Sequence, residues 1–276
     1  MMFLFKYWEG FCHELSNNGV KSIPACEVKA DMQKYLVLKH DVETNVPHAY
    51  KIAQIEKKYG HRGSYYVQAY LLEHEENVKL LKQMQAMGHE ISYHYDVMDS
   101  CKGDLESAIK EFEKNRDMFE NDGFHIVTVC QHGNPVVERK GYHSNRDFFR
   151  SEKVRNIYPN VTDIMVNFKE QVPTDYLYFS DAGRRFNLIY DPINNDIENS
   201  DDKNIPFDNL QQLFEGLSDK KGNIISIHPH RWMNSAVKYI IKNAIFKVLK
   251  TTAKLLQKIP VFNRIMSRYY YLAKKI

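Results

Sequence analysis

The stretch YLVLKHDVET, residues 35–44, decides the fold prediction because it sets an apolar run directly before charged side chains. The run predicts a buried β-strand, after which the chain places Asp41 and Glu43 two positions apart. Side chains alternate along a strand, so these two carboxylates face the same way. Two carboxylates on one face repel each other unless a positive group lies beside them. The stretch therefore predicts a strand that ends at a charged site.

Helix-like and strand-like patterns alternate after this stretch. Strands separated by helices pair in parallel through right-handed crossovers. At this chain length, that alternation predicts an α/β fold with a parallel sheet, either an α/β barrel or an open sheet. The polar segment 191–208 is rich in turn-forming residues and is expected to be an exposed loop. The predicted helices span residues 47–60, 75–90 and 104–120, and the further predicted strands span residues 63–71, 90–97, 124–135, 175–183 and 223–230.

Polar side chains end each of these strands. The carboxyl ends of parallel strands meet at one edge of the sheet, where the active sites of α/β proteins form. Carboxylates and histidines together suit Zn²⁺ or a related first-row ion better than Mg²⁺ or Ca²⁺. The sequence therefore predicts a divalent metal site, for zinc first, with cobalt, nickel and iron as alternatives. The strand ends read HDVE, HYD, QHGNP, SDAG and HPH.

The order of these motifs resembles the polysaccharide deacetylases with a NodB-type domain, carbohydrate esterase family four. KHDVE is similar to the first motif of that family, and GHEISYH, QHGNP, YFSDAG and SIHPHRW occupy the places of the second to the fifth. The likeness covers residues 35–232, approximately. It implies a NodB-like fold, a distorted (β/α) barrel of about seven parallel strands. It also implies a metal-dependent hydrolase that cleaves the amide of an N-acetylated sugar, a lipid-linked or nucleotide-linked intermediate of surface-polysaccharide biosynthesis.

The resemblance also assigns roles to individual side chains. Asp41 is implied to be the catalytic base that takes a proton from the attacking water. His228 is implied to be the general acid that protonates the leaving amine, and Asp181 orients its partner in the site. Glu43 and His94 are implied to be metal ligands. These roles agree with the chemistry, because amide hydrolysis needs both an activated water and a protonated leaving group.

One metal ligand is missing from its expected place. The family carries a second histidine one helical turn after the first, but this chain has Met98 at that position. The third ligand must therefore come from elsewhere. His132 and Asp96 are the two candidates that the strand ends offer.

The motif QHGNP also lacks the arginine that the family places beside its base. Arg184 and Arg185 are expected to supply that charge or to contact substrate, and His230 is a further candidate for metal or substrate. If the site has been weakened, the alternative is a non-catalytic glycan-binding or scaffold protein. The same residues could also serve another metal-dependent hydrolase, such as a phosphoesterase.

Basic residues are concentrated at the C-terminal end of the chain. Residues 231–276 contain eleven Lys or Arg and no Asp or Glu. Apolar residues recur at helical spacing over residues 235–260, with lysines between them, which predicts a basic amphipathic helix. Such helices bind anionic membrane surfaces, which is the first interpretation of this segment. The alternative is a helix that packs on the barrel with its lysines in solvent. No recognition motif indicates nucleic acid. The lysines assigned to membrane binding are Lys238, Lys242, Lys250 and Lys254.

The resemblance implies a deacetylase barrel over residues 1–232, and the charge and spacing patterns predict a helical tail over residues 233–276. Lys6 and Glu9 come too early for the apolar core of a signal peptide, and no run of apolar residues is long enough to predict a spanning helix. The four cysteines have no CxxC spacing, which disfavours a disulfide scaffold and a thiolate zinc site. The prediction is a cytoplasmic protein that lies on the inner face of the membrane through its tail.

Overall fold

The computed structural model describes residues 3–134, 137–198 and 201–245. Nine strands form one sheet in these residues. The strands are β1 (Leu36–Val42), β2 (Gly63–Val67), β3 (Glu90–Tyr95), β4 (Thr128–Gln131), β5 (Thr162–Asp163), β6 (Tyr176–Ser180), β7 (Phe186–Leu188), β8 (Ile205–Phe207) and β9 (Gly222–Ile227).

Helices connect most of these strands. Short 3₁₀ segments occur at Ala25–Glu27, Ala69–Glu73, Ala182–Arg184, Asp201–Lys203 and Pro229–Arg231, and residues 236–245 are also helical. The α-helices with two described ends are α1 (Phe5–Asn17), α2 (Val46–Lys58), α3 (Glu75–Ala86), α4 (Val97–Ser100), α5 (Leu105–Asn121), α6 (Asp147–Arg150), α7 (Glu152–Ile157), α8 (Phe168–Gln171) and α9 (Leu210–Glu215).

The strand order is β5-β4-β3-β2-β1-β9-β6-β7-β8. The seven strands from β5 to β6 in this order pair in parallel, which confirms the predicted parallel α/β sheet. β7 and β8 extend one edge as antiparallel strands. The sequence did not predict them because β7 is short and β8 lies in the polar segment expected to be a loop. Within the described residues the edge strands β5 and β8 do not pair, so closure into a barrel stays a prediction.

Apolar side chains cover both faces of the sheet. Leu36, Leu38 and Val42 of β1 pack in a large cluster with helices α1, α2, α3 and α5. Val37 faces the other way, into a second cluster that brings Phe168 against Tyr176 of β6, with ring centroids 6.3 Å apart. Because that cluster joins residues near β5 to residues of β6, the sheet curls around it. Lys39 and Asp41 lie on this concave face by the alternation of the strand.

Asp196 ties part of the segment 191–208 to the body of the protein. Its carboxylate accepts hydrogen bonds from Arg146 and Arg150, and from the Ser144 hydroxyl. Burial favours the neutral acid, but the two arginines outweigh burial and hold the pKa of Asp196 at about 2. The segment is therefore anchored to α6 and is not a free loop.

We expect the substitution Asp196→Asn to lower the free energy of unfolding by roughly 1–2 kcal/mol near pH 7. Since the folded pKa lies below the unfolded value of 3.8, this stabilisation is present above that value and is lost as the pH falls toward 2. Denaturant titrations of both proteins from about pH 7 to pH 3 should show a shrinking difference. Asp208→Asn removes an exposed pair with Arg185 and should cost under about 0.5 kcal/mol. A constant Asp196→Asn penalty across this range would contradict the assignment.

Candidate metal centre

Five polar side chains each come directly after a parallel strand. Glu43 follows β1, Asp96 follows β3, His132 follows β4, Asp181 follows β6 and His228 follows β9. Since the carboxyl ends of parallel strands lie at one edge, the fold brings these elements to the same end of the sheet. Four of the five side chains then meet, as the following distances show, and Asp96 is the exception.

Glu43, His94 and His132 form the first candidate ligand set. One ligand atom from each of these residues lies within 4.8 Å of the others. The Nδ1–H of His94 donates to the carbonyl of Cys130 at 3.0 Å, which leaves Nε2 with its lone pair available for a metal. Burial lowers the pKa of His94 to about 3, so the imidazole is neutral, as ligation requires.

His132 has a different environment within this set. Its Nε2 lies 3.3 Å from Oε1 of Glu43. Its Nδ1 is buried and has no hydrogen-bond partner among the described residues. Burial favours the neutral acid of Glu43, but His132 and His228 outweigh burial and hold its pKa well below the ordinary value. One carboxylate and two imidazoles are a donor set that suits a catalytic zinc or a related first-row ion, so these residues fit the expected metal.

The ligand atoms of a second donor set, Asp41, His94 and Cys130, also lie within 4.8 Å of one another, but Asp41 already has a cation beside it. The buried Lys39 ammonium donates to Oδ1 and Oδ2 of Asp41 at 2.5 and 2.6 Å, and to the Ser226 hydroxyl at 3.1 Å. Burial raises the pKa of the Cys130 thiol well above its usual range, which disfavours a thiolate ligand. The first set is therefore the better metal site.

Lys39 also corrects an expectation from the sequence. Arg184 donates a hydrogen bond to Asn243, and Arg185 pairs with Asp208 at 2.8 Å, so the cation beside Asp41 is neither of them. Lys39 precedes Asp41 by two residues and thus shares its face of β1. The same alternation that grouped Asp41 with Glu43 could have found it. Burial raises the pKa of Asp41, but Lys39 outweighs burial and keeps that pKa well below its usual value.

His228 is oriented by a buried carboxylate. Its Nδ1–H donates to Oδ1 of Asp181 at 2.5 Å, and its backbone N–H donates to Oδ2 at 3.1 Å. Arg231 donates to the same carboxylate at 3.0 Å. The Nε2 of His228 lies 3.7 Å from Oε1 of Glu43 and 3.9 Å from Oδ2 of Asp41. The outer nitrogen of His228 therefore faces the candidate metal centre.

Met98, Asp96 and His230 lie around this centre without joining the ligand set. Met98 is buried in the large apolar cluster. Asp96 lines a separate cavity of about 240 Å³ between Tyr70 and α5. Between the two candidates for the third ligand, the described residues place His132 and not Asp96 with Glu43 and His94. The His230 ring lies 6.0 Å from the ring of His228, and burial lowers its pKa to about 3. A role for His230 stays a prediction.

Comparison with known proteins gives a likeness in fold. No family model and no curated protein sequence matches the chain. A pseudoenzyme of carbohydrate esterase family four from Bacillus anthracis, BA3943, is 13% identical, with a TM-score of 0.43 over 81% of this chain and 63% of that one. The peptidoglycan deacetylase PdaC from Bacillus subtilis is 13% identical, with a TM-score of 0.39 over 82% of this chain and 99% of that one. The chain spans less than two thirds of the pseudoenzyme's length.

A third similar structure is, like PdaC, named a peptidoglycan deacetylase. The Bdellovibrio bacteriovorus peptidoglycan deacetylase Bd3279 is 12% identical, with a TM-score of 0.34 over 78% of this chain and 48% of that one. These similar structures thus include both deacetylases and a pseudoenzyme. Similarity at this level decides neither activity nor substrate, and the side-chain geometry has to carry both.

We expect Lys39→Met to destabilise the protein by about 3–5 kcal/mol, because it leaves the Asp41 carboxylate buried without its cation. The double variant Lys39→Met/Asp41→Asn should recover part of that loss, since it removes the unpaired charge as well. Lys58→Met removes the exposed pair with Glu9 and should cost under about 1 kcal/mol. Denaturant unfolding measures all three variants. A double variant no more stable than Lys39→Met alone would show that pairing with Asp41 is not the role of Lys39.

Proposed function

We propose that the chain is a metal-dependent N-deacetylase that hydrolyses the amide of an N-acetylated sugar. The observation that carries this proposal is the placement of Asp41 and His228 beside the Glu43, His94 and His132 donor set. An ionised carboxylate and a histidine at one metal centre are the base and acid that amide hydrolysis needs.

A divalent ion held by Glu43, His94 and His132 would polarise the amide carbonyl and lower the pKa of water. Asp41 accepts a proton from the attacking water, and Lys39 keeps that carboxylate charged before the reaction. His228 delivers a proton from Nε2 to the nitrogen as the C–N bond breaks, so that acetate and an amine leave. Asp181 holds His228 by its Nδ1–H and stabilises the charged imidazole.

The substrate class rests on the resemblance of the five strand-end motifs. Within that class we propose a lipid-linked or nucleotide-linked sugar of surface-polysaccharide biosynthesis, with zinc as the first choice of metal. The rival is a glycan-binding protein that keeps the fold without catalysis, and one neighbour in fold is itself called a pseudoenzyme. A phosphoesterase is the third candidate, since it would use the same donor set.

Acetate release from N-acetylated nucleotide sugars and chitin-type oligosaccharides tests the proposal. We expect chelation to abolish release and Zn²⁺ or Co²⁺ to restore it. Asp41→Asn should lower kcat by about 10²–10⁴-fold with metal still bound, because it removes the base. Glu43→Gln should lower the metal content, because it removes a ligand.

His125→Gln is the matched control, because this exposed histidine pairs only with Glu120 among the described residues, and the variant should keep full activity. No bound metal, with unchanged glycan affinity in Glu43→Ala, would favour the scaffold. Chelator-sensitive hydrolysis of a phosphate ester, without acetate release, would favour the phosphoesterase.

We further propose that the protein works at an anionic membrane surface on the cytoplasmic side. Among the described residues, no helix is long and apolar enough to cross a bilayer. Residues 236–245 instead form a helix whose Val237, Ile240, Ile241 and Ile245 are more than half exposed. Their spacing places them on one face of that helix. Lys238 and Lys242 are exposed on the same helix, whereas Lys250 and Lys254 lie outside the described residues.

The described part of this helix is attached to the domain by few apolar side chains. Tyr239 is buried, with its ring centroid 6.3 Å from that of Phe3, and just before the helix the backbone of Met233 bridges to that of Leu4. An exposed apolar face beside lysines, in a segment without Asp or Glu, is complementary to anionic lipid and not to neutral lipid. Tyr239, the Arg184–Asn243 hydrogen bond and the bond from Lys242 to the His230 carbonyl hold the helix on the domain, while its isoleucine face stays exposed.

We expect Ile240→Asp/Ile241→Asp to reduce flotation of the full chain with anionic vesicles by about tenfold or more, because it puts charge on the apolar face. Flotation with neutral vesicles should be weak for both proteins. Ile205→Asp changes an equally exposed isoleucine on β8 and should not alter flotation. Equal flotation of all three proteins with anionic vesicles would refute membrane binding through this helix.

A further inference from the structure

The turn between β3 and α5 carries a buried carboxylate that the proposed reaction does not use. Met98 and Asp99 both lie in α4, and both are buried. Met98 packs in the apolar cluster, but Asp99 reaches the segment that follows β4. The residue next to the expected ligand position therefore contacts the loop that supplies His132.

Three side chains from that loop saturate Asp99. Arg139 donates to its two carboxylate oxygens at 2.8 and 2.9 Å, and the Tyr142 hydroxyl donates at 3.0 Å. Asn145 donates from Nδ2 at 2.9 Å and accepts from the backbone N–H of Asp99 at 2.9 Å. We call Asp99, Arg139, Tyr142 and Asn145 the Asp99 clamp. A buried charge with this many partners fixes the relative position of α4 and the loop.

The Asp99 clamp also grips the backbone around His132. Asn145, which is fully buried, donates from Nδ2 to the carbonyl of His132 at 2.8 Å. Arg139 donates to the carbonyl of Asn134 at 2.8 Å. On the other side, the backbone N–H of His132 donates to the carbonyl of Tyr95 at 2.7 Å. The backbone of His132 is thus held between β3 and the Asp99 clamp.

His132 needs this support more than His94 does. The ring of His94 is oriented by its own hydrogen bond to Cys130, whereas Nδ1 of His132 has no partner among the described residues. A ligand histidine is usually oriented through its second ring nitrogen. For His132 the backbone contacts have to do this instead.

We infer that Asp99, Asn145 and Arg139 are positioning residues that set His132 as the third metal ligand, in place of the histidine expected at Met98. The inference rests on the proposed metal centre. The clamp acts through the carbonyl groups of His132 and Asn134 and touches neither metal nor substrate. Its removal lowers metal affinity by moving His132, even where the fold is retained.

Zn²⁺ affinity of the full chain, measured by competition with a chromophoric chelator, tests the inference. We expect Asn145→Leu, which keeps the volume but removes the donor, to weaken binding about 10–100-fold. Arg139→Gln should weaken it in the same direction and serves if Asn145→Leu does not fold. Asp196→Asn is the matched control, because it breaks arginine pairs in the neighbouring segment without a contact to His132. It should leave affinity within about twofold.

A second arm separates positioning from general loss of stability. In a His132→Ala background, Asn145→Leu should weaken Zn²⁺ binding by no more than about twofold further, because the residue it positions is gone. An equal penalty in both backgrounds, or a penalty matched by Asp196→Asn, would overturn the inference while leaving the metal centre in place. Absence of metal binding by the unaltered chain would overturn the metal centre and the inference together.

Discussion

The parallel pairing of β1 with β2 on one side and β9 on the other is the constraint on which the site depends. It aligns Val42 with Val67 and His40 with Ile227, so β1 and its neighbours end at the same edge. Parallel pairs require long crossovers, and the helices that make them bury the sheet from outside. The carboxyl end is left for polar side chains. Glu43 and His228 meet there although 185 residues of chain separate them.

At this edge of the sheet, the ion pair between Lys39 and Asp41 relieves the repulsion expected between the Asp41 and Glu43 carboxylates. Two carboxylates two residues apart need positive charge, and the sequence suggested a metal bound by one of them, Glu43. The structure divides the task. The charge of Asp41 is balanced by Lys39, two residues earlier on the same strand, while Glu43 lies beside His132 and His228. This division leaves Asp41 outside the Glu43, His94 and His132 donor set, as its proposed role of catalytic base requires, and the two bonds from Lys39 hold its carboxylate in one orientation.

The sequence predicted what periodicity encodes and missed what tertiary packing decides. The strands from β1 to β4, with β6 and β9, follow from apolar runs that stop at polar residues. β5, β7 and β8 are two or three residues long, which is too short to show the alternation of apolar and polar residues typical of a strand. They are strands because they pair with neighbouring strands. Glu43, His94 and His132 could be singled out because each lies at a strand end. Asp99 and Asn145 could not, since a contact across 46 residues leaves no local pattern.

Met98 stands where the resemblance implies a ligand histidine, and the proposed centre does not depend on that position. The Met98 side chain on α4 packs in the apolar core, so it offers no ligand atom to the candidate metal centre. If the loop after β4 were free, ordering His132 would cost conformational entropy each time metal bound, and the metal affinity would fall. The loop is instead fixed by a buried carboxylate one residue from Met98. The Asp99 clamp therefore gives the proposed centre a fixed histidine where Met98 offers no donor.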